Sequence, residues 1–406
     1  MPTRPQIAIL GAGPIGLDAA LAAAAHGFPF TLYEAGTEVA ANVRSWGHVR
    51  AFTPWSMCLS PRMAEALDNA SRVVPEDRGL PPTGGELVEQ LLEPLSELPG
   101  IGPHLRLGVR ARRIAREGLL KSEEIATPAR AARPFRLLLA DRDGVESVAH
   151  ASVVLDCTGS YGNPNSTGDG GIPAPGEQAL ERRIVRFLPD LTRAGADWAG
   201  RRILLVGSGH SAQTAARELA ALAVMHPETR VNWIVRGDGD FGVSGEDDPL
   251  PERGRLHKRA RELAGGASPA IAFRGGTVID ALHSDGGAII VTLRARDSEA
   301  RESLRVDRVL SLTGGVGEHK LYRQLQVHEC YAFSAPMKLS AALLAAAGGS
   351  ADCLDQQSHG VDALKSPEPG FFILGSKSYG LNSSFLLRVG YQQVDEVFAH
   401  LSSLGD

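Results

Sequence analysis

The sequence predicts an α/β protein that uses one structural plan twice, and three observations lead there. Two glycine-rich clusters, at 11–16 and 207–212, each follow a short apolar run and precede a helix-forming run. Each is succeeded by further apolar runs and turns that end in Thr-Gly. The 406 residues are 43% hydrophobic and 22% charged, which is globular composition, and at that length two or three domains are expected.

The first cluster, Gly11-Ala12-Gly13-Pro14-Ile15-Gly16, follows the strand-like Ile7 to Leu10 and precedes a helical run from Leu17 to Ala25 that closes at Gly27. A second strand, Phe30 to Tyr33, then ends in Glu34, 23 residues after Gly11. This is the βαβ dinucleotide fingerprint in its required context. Gly11 permits the tight turn, Gly13 lets backbone N–H groups approach a pyrophosphate, and Gly16 lets helix and strand pack closely. The helix N-terminus faces the phosphates. Glu34 is placed to accept from ribose hydroxyls and would repel a 2′-phosphate.

The second cluster, Gly207-Ser208-Gly209-His210-Ser211-Ala212, follows Ile203 to Val206 and opens a helix to about Val224. Ala212 is an accepted variant of the third glycine. The next strand, Val231 to Val235, runs into Arg236, a forked donor suited to a 2′-phosphate where the first copy has a carboxylate.

Later elements repeat as well. After the first fingerprint come Leu105–Arg113, Phe135–Ala140, a turn at 141–144, Val145–His150, and Val153–Asp156 running into Thr158-Gly159. After the second come Ile271–Leu282, Ala288–Arg294, and Val306–Leu312 running into Thr313-Gly314. The expected architecture is two Rossmann-like domains, each with a β-meander, the second (172–312) inserted in the first (1–171 plus 313–406).

Both fingerprints, together with Asp156-Cys157-Thr158-Gly159, resemble the flavoproteins with two dinucleotide-binding domains, the superfamily of pyridine nucleotide-disulfide reductases and class B flavin monooxygenases. The resemblance covers nearly the whole chain. It implies FAD on the first fingerprint, NADPH on the second, and a hydride passed from nicotinamide to flavin. Phe371-Phe372-Ile373-Leu374-Gly375-Ser376 resembles the family's last FAD strand, with Ser376 in place of the usual Asp. Phe385 to Gln393, including Gly390, resembles the helix that supports the flavin pyrimidine; an ordinary buried strand and amphipathic helix is the alternative.

Members of this superfamily that reduce disulfides carry a close cysteine pair. Here the cysteines stand alone at 58, 157, 330 and 353. The monooxygenase Gly-Gly-x-Trp segment is represented by Arg44-Ser45-Trp46, without its glycines, and the Baeyer–Villiger fingerprint is not recognisable in 180–200. The resemblance thus implies an NADPH-dependent FAD enzyme, first a single-component monooxygenase that oxygenates a small nucleophile through a peroxyflavin. The alternative is a reductase of a disulfide, quinone or oxidised small molecule, and a third reading is a redox-sensing or electron-transfer protein.

Residues 44–62 follow Glu34 toward the isoalloxazine in this architecture, which makes Trp46, His48, Arg50 and Trp55 the candidate catalytic or pocket residues. A packed loop over the domain is the competing reading. Cys58, Cys330 and Cys353 are open between a long-range thiol pair and inert packing, while Cys157 reads as core. His210 and His328 read as structural. Residues Lys377 to Ser384 form either a polar loop at the flavin edge or a solvated one, and the charged stretch Asp238 to Arg261 a lid over NADPH or a surface excursion.

The net charge of -5, from 42 basic and 47 acidic residues, gives no footprint for nucleic acid or membrane. No metal-ligand spacing is present. Apolar runs are too short to span a bilayer, and the first leads directly into the glycine turn, so a cytoplasmic protein with reduced thiols is expected. Its partner is a small molecule, with a homodimer left open.

Overall fold

The computed structural model describes residues 4–242, 248–346, 354 and 356–404. The chain forms two compact units, 1–163 with 315–406 and 164–314.

In the first unit, β1 (Ile7–Leu10) leads through the glycine turn into helix α1 (Pro14–Ala25) and then β2 (Phe30–Tyr33) and β3 (Leu105–Arg106). The meander β4 (Arg110–Arg116), β5 (Phe135–Ala140) and β6 (Glu146–Ala151) is antiparallel, and β7 (Val153–Asp156) returns to the parallel sheet. Every residue of β1 is buried. Successive side chains point to opposite faces, so both faces must be covered by something apolar. Ile7 and Ile9 pack with Leu17, Ala20, Val394 and Phe398. Ala8 and Leu10 pack with Ile114, Phe135, Leu137 and Phe371 of the meander side. Each Ile, Leu, Val or Phe among them contributes about 1.5–3 kcal/mol by leaving water.

The second unit repeats the order with β8 (Ile184–Val185), β9 (Arg202–Val206), helix α2 (His210–Met225), β10 (Arg230–Ile234), helix α3 (Pro251–Ala264) and β11 (Ile271–Arg274). Its meander is β12 (Thr277–Asp285), β13 (Ala288–Ala295) and β14 (Arg301–Val306), followed by β15 (Arg308–Ser311). The chain then re-enters the first unit through the hairpin β16 (Glu329–Cys330) and β17 (Ala335–Pro336), β18 (Phe371–Ile373) and helix α4 (Leu387–Ser403). The parallel sheets run β18-β7-β1-β2-β3 and β8-β15-β9-β10-β11, the same order of equivalent strands.

The apolar run 105–113 is not one strand but two, and so is 271–282. In each copy the first piece extends the parallel sheet and the second begins the meander. The break falls at Gly108 and at Gly276, both with positive φ (69° and 58°). Gly108 N–H donates to Gly36 O and Gly276 N–H to Gly237 O; the next residues, Val109 and Thr277, donate to Glu34 O and Val235 O. The expected strand 306–312 likewise contains the end of β14 and all of β15. β14 escapes a pattern search because Arg301-Glu302-Ser303 is polar.

The stretch 238–261 is also corrected where it is described. From Pro251 it is helix α3, which packs on α2 and buries Leu256, Ala260 and Leu263 at helical spacing. Among the described residues no helix is long and apolar enough to cross a membrane.

Candidate functional site

The first candidate site lies at the carboxyl ends of β1 and β7, where the strand order of an open parallel sheet reverses and a crevice opens. The fold itself explains two of its glycines. Gly11 has φ 96°, and a Cβ there would stand 2.7 Å from Cys157 O. A Cβ on Gly16 would overlap the Gly11 carbonyl oxygen. Gly13 is different: its φ of -85° suits any residue, and a Cβ would meet nothing within 4 Å. No requirement of the protein itself calls for glycine there, whereas a pyrophosphate approaching the turn does. α1 has no side-chain cap, so its first N–H groups are available to an anion.

Glu34 closes this turn from the other side. It is 9% exposed and accepts from Ala12 N–H (2.8 Å, Oε2) and Gly36 N–H (2.7 Å, Oε1). Each oxygen keeps a second lone pair for a ribose hydroxyl. Thr158 follows β7, and Gly159 has φ 69° with its absent Cβ 3.7 Å from Ser376 Oγ. Gly375 and Gly390 admit the Ile15 side chain, which draws the first turn of α4 against the start of α1. α4 has no side-chain cap either.

The second unit repeats the arrangement. Gly207 has φ 122° and would collide with Leu312 O, while Gly209, φ -68°, faces open space. Ala212 occupies the packing position at the start of α2, fully buried, and Ser211 is exposed beside it. The register at the next strand corrects one expectation. Gly11 N–H donates to Tyr33 O and Gly207 N–H to Ile234 O, so Glu34 corresponds to Val235, and Arg236 stands one residue further. Val235 is buried, and Arg236 is exposed with no side-chain partner among the described residues. His210, at the first position of α2, stacks on His257 at 5.3 Å and 10°, their Nε2 atoms 3.1 Å apart. Burial, then the charges of His257 and Arg253, push His210 down to about 4, so it is neutral near pH 7.

Several residues of the 44–62 segment pack in the first unit's core, Trp55 and Cys58 fully and Trp46 and Leu59 against it. Trp46 packs against Gly84, where a Cβ would lie 2.5 Å from the indole. His48 Nε2 is shut away from solvent without a hydrogen-bond partner. Trp55 is buried at the start of the helical turn Trp55–Cys58, and Tyr391, next to Gly390, donates its hydroxyl to Cys58 O at 2.5 Å. Arg50 is exposed; its guanidinium donates to Pro81 O and lies 3.6 Å from Glu86 Oε2. Asp18, buried in α1, holds this segment by accepting from Ser60 Oγ and from Arg62 Nη1 at 2.8 Å.

No protein-family model matches the sequence, and no curated protein matches it. Solved structures do. Bacillithiol disulfide reductase of Bacillus cereus is similar with a TM-score of 0.71 at 17% identity, covering 99% of each chain. Ornithine N-hydroxylase of Kutzneria sp. 744 gives 0.67 at 14%, over 99% of this chain and 100% of that one. Thioredoxin reductase of T. acidophilum gives 0.60 at 14%, over 99% of both. The chain shares the fold of these proteins.

Two of the thiols within this fold, Cys58 and Cys157, are held protonated by burial. Cys58 Sγ sits 3.3 Å from Thr53 Oγ1, and burial pushes it up to about 11. Burial also raises Cys157 well above its ordinary value. Cys330 is half-buried in β16, and Cys353 lies outside the described residues.

Neither a polar nor a solvated loop begins at Lys377. Ser376–Tyr379 is a helical turn, and Lys377, Ser378 and Tyr379 are buried. Lys377 Nζ is 2.6 Å from Asp156 Oδ2 and also donates to Thr158 Oγ1 (3.2 Å) and Glu318 O (2.9 Å). Next to Glu318, His319 Nδ1 lies 2.5 Å from Glu329 Oε1 and 3.2 Å from the Tyr322 hydroxyl, which donates to the same Glu329 oxygen. Sequence reading missed this cluster. Its one visible signal was the strand-end Asp156-Cys157-Thr158-Gly159.

Proposed function

We propose that the protein is an oxidoreductase that holds FAD on its first unit and NADPH on its second and acts on a small molecule. The observation that carries this is the pair Gly13 and Gly209: both are glycine where the protein's own backbone and packing would accept a side chain. The Kutzneria relative in fold, whose structure holds reduced FAD, NADP+ and L-ornithine, supports the same cofactors here. Flavin, when bound, supplies hydride acceptance from NADPH and electron delivery to an acceptor or to dioxygen.

In this reading the N–H groups of the Gly11–Gly16 turn hold the FAD pyrophosphate, Glu34 the ribose, and Thr158, Gly159, Gly375, Ser376 and Gly390 the strand ends beside the flavin. Gly207, Gly209, Ser211 and Ala212 form the NADPH turn, and Arg236 reaches the 2′-phosphate, with no carboxylate at Val235 to oppose it. Trp46, His48 and Trp55 shape and dry the substrate side. Arg50, already engaged by Pro81 and Glu86, holds that segment in place.

Oxygenation of a small nucleophile is the first reading of the reaction. It is supported by the absence of a cysteine pair from the sequence and by the raised thiols of Cys58 and Cys157. Reduction of a disulfide or quinone is the second, favoured by the likeness to bacillithiol disulfide reductase along the whole chain. Turnover under labelled dioxygen separates them. Oxygenation requires dioxygen and leaves one labelled atom in the product, whereas a reductase turns over anaerobically with a disulfide or quinone.

A further inference from the structure

Between the start of β11 and the end of β14 the second unit carries Arg274, Arg294, Arg296, Arg301 and Arg305. All but one are ion-paired: Arg274 with Glu302, Arg294 with Asp169 and Asp280, Arg301 with Asp280, and Arg305 with Asp285. Arg296, which follows β13, is the exception. Its Nη1 donates instead to Arg236 O at 3.3 Å. Arg236 and Arg296 are both exposed, and among the described residues neither is paired with a carboxylate. Acids are close in the chain, since Asp238 stands just beyond Gly237 and Asp297 directly follows Arg296.

The backbone fixes this meeting of two arginines. Gly276 N–H donates to Gly237 O and Arg296 N–H to Gly276 O, each at 2.8 Å. The end of β13 is thereby tied to the end of β10. In a dinucleotide fold that second strand ends at the adenosine ribose, where a 2′-phosphate is carried. Beside Arg236, Gly237 has no positive φ, and a Cβ there would meet nothing within 4 Å. As at Gly13 and Gly209, the protein's own packing does not call for glycine, and the space next to the guanidinium stays open.

Two guanidiniums gathered without an acid repel one another. A phosphate monoester removes that repulsion, because it carries about -1.5 to -2 charges at pH 7 and three acceptor oxygens. A guanidinium meets it with two parallel N–H donors. Arg296 keeps such an edge, Nε with Nη2, after Nη1 is spent on Arg236 O.

We propose that Arg296 is a second specificity-determining residue of the NADPH site, closing on the 2′-phosphate from the meander side while Arg236 holds it from the strand end. The inference rests on the NADPH reading of the second unit. It adds a residue that the glycine fingerprint and its strand do not contain, since Arg296 lies 60 residues beyond Arg236.

Calorimetry on the full chain tests this with two ligands that differ by that one phosphate, adenosine 2′,5′-bisphosphate and 5′-AMP. The unaltered protein is expected to bind the bisphosphate about tenfold or more tightly than 5′-AMP. Arg296→Ala is expected to weaken the bisphosphate by about tenfold and to leave 5′-AMP within about twofold. In an Arg236→Ala background it is expected to remove the preference that remains, which separates a direct contact from one exerted only through Arg236. Arg296 is exposed, so thermal unfolding of the variant should match that of the unaltered protein. If the unaltered protein prefers the bisphosphate but Arg296→Ala weakens both ligands alike, or neither, or adds no loss in the Arg236→Ala background, the proposal is overturned and the NADPH reading stands. An unaltered protein with no preference for the bisphosphate overturns both.

Discussion

Lys377 and Asp156, 221 residues apart in sequence, form an ion pair of 2.6 Å in which both side chains are at most 1% exposed. Desolvating two charges is expensive, and the pair is tolerable because Thr158 Oγ1 and Glu318 O accept further hydrogen bonds from the ammonium. Removing one partner leaves the other charge buried alone. Lys377→Met is expected to lower the stability of the first unit by about 3–5 kcal/mol, measured by urea unfolding. Lys377→Met combined with Asp156→Leu should recover much of that loss. A single variant of unchanged stability would contradict the buried pair.

The glycines separate folding from binding. At Gly13 the backbone is extended and the Cβ space is open, so Gly13→Val is expected to fold with near-normal stability and to bind no FAD. Gly209→Val is expected to abolish NADPH binding and spare FAD. Gly11→Val, at φ 96° against Cys157 O, should fail to fold instead. Fluorescence titration with each cofactor, beside thermal unfolding, checks all three.

Arg236 is expected to set cofactor choice. A charge-assisted bond to the 2′-phosphate contributes about 1.5–3 kcal/mol, so NADPH should be favoured over NADH by about ten- to a hundredfold. Arg236→Ala should erase most of that preference in flavin reduction rates. Equal rates with both cofactors in the unaltered protein would contradict the assignment.

Two buried groups give stability opposite dependence on pH. Burial raises Asp18 from its ordinary 3.8 to about 7, against the opposing pull of Arg62 and Ser60. Between those values the folded state keeps a proton that the unfolded chain has lost, so Asp18 makes the first unit less stable as pH rises through that window. His210 is lowered from 6.5 to about 4. There the unfolded chain takes up the proton first, so the stability His210 contributes to the second unit is lost as pH falls from about 6.5 toward about 4. Asp18→Asn and His210→Gln should each flatten one slope in urea unfolding across that range. Slopes unchanged by the substitutions would contradict these shifts.

What was legible in the sequence follows from how local each requirement is. A glycine turn, a strand before it and a helix after it lie within one short window, so both fingerprints and the matching strand order were readable. Gly108, between Leu107 and Val109, and Gly276, between the apolar runs that begin at Ile271 and end at Leu282, were not read as breaks, and only the bonds to Gly36 O and Gly237 O reveal the turn. Arg236 was placed one residue early for a similar reason: the end of a strand is fixed by its partner, here Gly207 N–H on Ile234 O. Beyond the strand end at Asp156, the cluster with Lys377, His319 and Glu329 had no local signature, since the β7 end, the return segment and the turn after β18 meet only once the sheet has formed. Asp18, in the alanine-rich helix α1, finds its partners Ser60 and Arg62 only through the tertiary fold.

The central claim, that this chain joins a FAD site to an NADPH site, is tested most directly by adding NADPH to the purified protein without oxygen and following its absorbance. The account expects a yellow protein carrying equimolar FAD, bleached by NADPH faster than by NADH and recoloured by air. A colourless protein that cannot be reconstituted with FAD, or a bound flavin that NADPH leaves oxidised, would contradict it.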